Sequence, residues 1–153
     1  MAFRFRLEKV LAFRKSNEEL ARKNYLEIKA ELEDQQNILK SYYDQIELAQ
    51  AERHKLILKG GNSSESLSQI HNYIKGMEIK IDRQKIVIKN QLIKVEESQL
   101  VLQRTSIECK MIEKLKENQK EEFRQLNKKK EEKILSEMTN ARFNLRKKNE
   151  SEF

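Results

Sequence analysis

Turn-forming residues are almost missing from this sequence. Its 153 residues hold no proline and three glycines. A domain of several packed elements must reverse its chain many times, and reversals draw on Gly, Pro, Asn and Asp. Sandwiches, barrels and βαβ folds are therefore close to excluded. Charged residues are 37% of the chain and hydrophobic residues another 37%, below the roughly 45–50% apolar usual in globular domains. That balance fits a long helix or a disordered chain. Periodicity decides between them.

One register runs from Leu7 to Leu56 in alternating steps of four and three. It passes through Leu7, Leu11, Arg14, Glu18, Ala21, Tyr25, Ile28, Leu32, Gln35, Leu39, Tyr42, Ile46, Ala49, Arg53 and Leu56, of which eleven are apolar or aromatic. A heptad seam sustained this far is the pattern of a coiled coil. A second seam opens at Leu67. Its a positions are Leu67, Ile74, Ile81, Ile88, Val95, Leu102, Cys109, Lys116 and Phe123. Its d positions are Ile70, Met77, Gln84, Gln91, Ser98, Thr105, Ile112, Gln119 and Leu126. The four polar d positions from Gln84 to Thr105 are expected to weaken the pairing there.

Between the seams lies the one clear break, Lys59-Gly60-Gly61-Asn62-Ser63-Ser64-Glu65-Ser66. Paired glycines and a serine cluster read as a loop, with Ser63 or Ser64 available to cap the next helix. Gly76 sits inside a periodic run and weakens a helix there without ending it. The expectation is an all-α fold, a long antiparallel two-helix coiled coil with the second helix longer. It is read as a single coiled-coil domain over residues 1–153, with helix 1 over about 3–58, a loop over about 59–65 and helix 2 over about 66–147. Pairing outward from the loop sets Leu56 beside about Ser66 and Leu7 beside about Leu115. About 30 residues at the C-terminal side are then left without an intramolecular partner.

Those residues also carry the charge. The chain is +7, with a pI of about 9.4. From Arg124 to Lys148 there are nine cations (Arg124, Lys128, Lys129, Lys130, Lys133, Arg142, Arg146, Lys147, Lys148) against Glu131, Glu132 and Glu137, a balance of +6. A basic helix without a partner in its own chain is suited to an acidic one.

Signs of catalysis are absent. The sequence has no phosphate-binding glycine motif and no HExxH. His54 and His71 flank the loop without a cysteine or paired carboxylate at ligand spacing, and they read as solvated residues ahead of a weak metal site. Cys109, the single cysteine, falls on the seam and reads as a small buried hydrophobe. The chain is expected to be no enzyme and to need no cofactor. No run approaches the about 18 apolar residues of a membrane span. The first residues interleave charges and lack a secretory core, so the expected location is cytoplasmic.

Two features go beyond the seams. Ile79, Ile86, Ile93, Leu100 and Ile107 repeat every seven residues at an f position. They form either a second apolar contact face or a sign that the true seam is broader or rotated. Near the loop, Tyr42 and Tyr43 on the first helix come about level with Ile79 and Lys80, close to Tyr73 and Met77. Seam packing accounts for Tyr42 and Met77. Tyr43 and Tyr73 lie off the seam, and tyrosine suits an interface.

The opening Phe3-Arg4-Phe5-Arg6-Leu7-Glu8-Lys9-Val10-Leu11-Ala12-Phe13-Arg14-Lys15 resembles the start of the flagellar export protein FliJ family. That start has Phe, a Leu, then a Val-Leu pair and a basic residue ahead of a Glu-rich helix. The loop after about 60 residues, the longer second helix and the basic C-terminal segment are similar in layout over the whole chain. The resemblance implies a hairpin similar to the long helices of the rotary ATPase γ subunit. It implies work in bacterial flagellum biogenesis, and so in motility and chemotaxis, in the cytoplasm at the inner face of the membrane. The implied partners are the export ATPase ring FliI, whose assembly and activity it promotes, the export gate protein FlhA, and export chaperones that it escorts. Carried onto this sequence, Phe3, Phe5, Leu7, Leu11, Arg14, Lys128, Lys129, Lys130, Arg142 and Arg146 would bind the ring. Tyr43, Tyr73 and Met77 would meet the gate. The low aromatic content and the absence of tryptophan depart from the family's gate surface. A homodimeric scaffold joined through the f-position face is the rival reading. A nucleic-acid binder is weaker and not expected, because carboxylates sit among the cations and no aromatics alternate with them.

Overall fold

The computed structural model describes residues 2–60 and 64–152. Helix α1 spans Glu8–Lys59 and helix α2 spans Ser64–Ser151, with no strand among the described residues. The fold is an all-α antiparallel hairpin coiled coil whose second helix is the longer. Helix α1 ends where Gly60 turns left-handed at φ 62°, a conformation that costs glycine nothing. The Gly60 N–H donates to the Ile57 carbonyl at 3.3 Å, satisfying one of the last carbonyls of the helix. Ser63, one of the two expected caps, lies outside the described residues. Helix α2 starts at Ser64 with Glu65 in its first turn, where a carboxylate favours the helix dipole. It then runs past the expected end near 147 to Ser151, since neither glycine nor proline interrupts it.

Packing divides the chain into two compact units, one of Asn17–Thr105 and one of Met1–Ser16 with Ser106–Phe153. Within the first, burial follows the two seams. Ala21, Leu32 and Ala49 are buried on α1, and the other seam residues from Glu18 to Leu56 are half-buried. Ile74, Met77, Ile81, Gln84, Gln91 and Ser98 are buried on α2. Each fully buried aliphatic or methionine side chain stabilises the pair by roughly 1.5–3 kcal/mol.

The polar d positions are bonded. The Gln84 amide donates to the Gln35 carbonyl at 2.9 Å and to its side-chain oxygen at 2.7 Å. The Gln91 amide donates to the Ile28 carbonyl at 3.0 Å and to Glu31 at 3.1 Å. Ser98 and Thr105 turn their hydroxyls back to the carbonyls of Val95 and Leu102. No buried side-chain nitrogen or oxygen among the described residues lacks a partner. These bonds set Gln35 level with Gln84 and Ile28 level with Gln91, about three residues from the expected register.

In the second unit, helix 1 does not begin near residue 3. Residues 2–5 are not helical, and α1 starts at Glu8, whose N–H donates to the Phe5 carbonyl at 3.3 Å. The reason lies in the order Phe3-Arg4-Phe5-Arg6-Leu7. A helix would turn Phe3 and Phe5 about 200° apart. A non-helical run with period two puts Phe3, Phe5 and Leu7 on one side, and these are the three that are buried or half-buried while Arg4 and Arg6 are exposed. Phe5 is buried with Leu11 and Cys109, and Phe3, Leu7 and Ile112 pack around them.

Candidate functional site

The described residues contain no group of three or more His, Cys, Asp or Glu side chains placed to hold a metal ion. His54 and His71 are both exposed. No helix is long and apolar enough to cross a membrane. The Cys109 side chain is 1% exposed, with its sulfur 3.7 Å from the Glu113 carboxylate. Among the described residues, four stretches of surface bear on a partner.

The first is the N-terminal run. Phe3 meets Phe123 with ring centroids 5.6 Å apart. The Lys116 ammonium lies 6.0 Å over the Phe5 ring and 2.9 Å from Glu8. Arg14 pairs with Glu108 at 2.7 Å. Such part-exposed pairs contribute about 0–1 kcal/mol, so apolar burial holds the run in place. Of the five N-terminal residues expected at a ring, Phe5 and Leu11 are buried, Phe3 and Leu7 are half-buried, and Arg14 is engaged by Glu108. Leu7, Leu11 and Arg14 stood on the expected seam, and sequence reasoning missed the inward packing of Phe3 and Phe5. Its signal was the period-two alternation.

The second place is the basic segment of α2. Every described residue from 128 to 152 is exposed. Lys128, Lys129, Lys130, Arg142 and Arg146 all stand in this uncovered stretch, and none forms an ion pair with a described residue. At its start Arg124 bonds Glu121 at 2.8 Å. That bond, with a second from Gln125, holds the Glu121 carboxyl below the ordinary carboxylate range.

The third lies close to the turn, in the unit Asn17–Thr105. A groove of about 420 Å³ opens between the helices, lined by Gln45, Leu48, Ala49, Glu52, Gln69, Ile70 and Tyr73. It exists because the small Ala49 occupies a seam position. Tyr73 is 48% exposed and its hydroxyl donates to the Gln45 amide oxygen at 3.3 Å. Tyr43 is 46% exposed, but it stands two residues before Gln45, about 200° around α1. The two tyrosines therefore do not share one face. Met77 is 2% exposed and belongs to the core.

The fourth is the f-position line. In the unit Asn17–Thr105, Ile79, Ile86, Ile93 and Leu100 are between 48% and 61% exposed. In the other unit Ile107 is 59% exposed. Within Asn17–Thr105 helix α1 leaves them uncovered, while Ile74, Met77 and Ile81 are buried and Gln84 and Gln91 bond to α1.

The sequence profile of the flagellar FliJ protein family matches residues 3–148. No curated protein matches the chain. Among solved structures, a putative YscO homolog from Chlamydia trachomatis has a similar fold, with 22% identity and a TM-score of 0.54 over 96% of this chain and 99% of that one.

Proposed function

Because the chain belongs to the FliJ family, a component of the type III flagellar export apparatus, we propose that it acts there as the stalk of the export ATPase. In this reading the unit that holds both termini binds the FliI ring, promotes its assembly and raises its activity. The unit that holds the turn meets the gate protein FlhA, so that the chain works at the cytoplasmic face of the membrane through its partners. The observation that carries the reading is the uncovered segment of α2, with nine cations against three carboxylates between Arg124 and Lys148. A hairpin of two helices is about 20 Å across, narrow enough for the bore of a ring. Its cations are steered toward an acid-lined opening. The stalk supplies no catalytic group, because the ring hydrolyses the nucleotide.

The test is hydrolysis by the cognate ATPase with and without the chain. Stimulation should fall as salt rises, since exposed charges are screened within about 10 Å at 0.1 M. Replacing Lys128, Lys129, Lys130, Arg142 and Arg146 with Glu should abolish it. All five side chains are exposed, so the melting temperature should hold. Full stimulation by that variant would remove the basic segment from the mechanism. The scaffold reading draws on the exposed f-position line and predicts a dimer in sedimentation. A monomer fits the stalk.

A further inference from the structure

The seam of α2 does not end where its cover ends. Up to Phe123 the half-buried residues keep the heptad spacing through Ile112, Lys116, Gln119 and Phe123. The next heptad position, Leu126, is 58% exposed, and Asn127 takes the half-buried place. A step of four where three was due moves the seam on by one residue, about 100° around the helix. In the old register the following a and d positions would be Lys130, Lys133, Glu137, Asn140, Asn144 and Lys147, all polar. Counted onward from Asn127 in steps of four and three they are Glu131, Ile134, Met138, Ala141 and Leu145. Four apolar residues in succession fall on the shifted line, and Leu135 widens it. Ile134, Leu135, Met138 and Leu145 are 56%, 63%, 54% and 62% exposed.

We propose that residues 127–145 are an open coiled-coil seam that receives one acidic amphipathic helix of a partner, about three heptads long. The proposal deepens the stalk reading, since it rests on the uncovered segment being a binding segment and states the chemistry of what it binds. Charge selects the occupant. A second copy would set a +6 segment against another, and like charges across a seam repel. Lys128, Lys130, Arg142 and Arg146 stand within about 100° of the line through Met138 and Leu145, at the flanks where an acidic helix would place carboxylates. The apolar line asks for a helix with leucine-like side chains every three and four residues, which a bare acidic surface does not supply.

The probe is a fluorescent three-heptad peptide with Leu at a and d and Glu at the flanking positions, titrated against the full chain. A second peptide carries the same residues in scrambled order. The chain is compared with its variant Ile134→Ser, Met138→Ser, Leu145→Ser, which keeps every charge and alters only exposed side chains. The patterned peptide should bind at least about tenfold more tightly than the scrambled one, and the serine variant should lose that margin. Equal binding of both peptides, or undiminished binding by the serine variant, would reduce the segment to a charged rod and overturn the proposal. So would a dimer of the chain alone that the serine variant dissolves. ATPase stimulation is read separately. Stimulation without patterned binding sinks the seam and leaves the stalk reading. Patterned binding without stimulation sinks the stalk reading and leaves the seam.

Discussion

Gly76 lies within α2 with open space where a Cβ would stand. Glycine in a helix interior is about 0.8–1.0 kcal/mol less favourable than alanine. Gly76→Ala should therefore raise stability by about that amount, read as a higher melting temperature. Gly60, left-handed at φ 62°, should respond in the opposite sense. The tyrosines separate in the same way. Tyr73 borders the groove and bonds Gln45, and Tyr43 points elsewhere on α1. Tyr73→Ala should lower gate binding in a pull-down, with a stability cost below about 1 kcal/mol as for an exposed position. Tyr43→Ala, equally exposed, should bind the gate as the parent chain does. Equal losses from both would mean that the groove is not the contact. Sequence spacing placed both residues off the seam correctly. It did not show that they stand on different sides, because that depends on which flank of each helix turns to the other.

The elements were legible where they obey one period. All fifteen positions of the first seam, Leu7 to Leu56, are buried or half-buried, and on α2 only Leu126 among the eighteen is exposed. The start of α1 was misplaced because Phe3 to Leu7 change to period two, and a search for heptads passes over so short a run. The bonding of the polar d positions was hidden for another reason. A pattern that scores apolar against polar cannot register that a glutamine amide reaches the carbonyl of the facing helix. Gln84 and Gln91 reach two such carbonyls seven residues apart, at Gln35 and Ile28. Buried polar pairs of this kind can fix register at a cost in stability. Replacing both with Leu should raise the melting temperature and loosen the register. Cysteine pairs placed at alternative levels along the seam would then cross-link at more than one level, where the parent chain permits one. A single cross-linking level in the leucine variant would show that the remaining seam holds register by itself.

At the scale of the molecule, charge and cover separate along the chain. The stretch from Arg124 to Lys148 is +6 within a total of +7, and nearly all of it lies beyond the last half-buried residue, Asn127. Both facts were legible in the sequence, one by counting and one by comparing the lengths of two seams. The place of the shift at Asn127 was not, because Leu126 satisfies the heptad and its exposure is what dates the change of line. One consequence concerns time. A helix without tertiary packing keeps its shape through its own hydrogen bonds, and short isolated helices are marginal in water. Here the packed part supplies the nucleus, so protection falls with distance from it. Amide hydrogens should exchange fastest near Ser151 and progressively more slowly toward Asn127, then abruptly more slowly at Phe123 and before it. A partner seated on Ile134 to Leu145 should flatten that gradient, and the residue at which protection stops growing would measure how far along α2 the partner reaches.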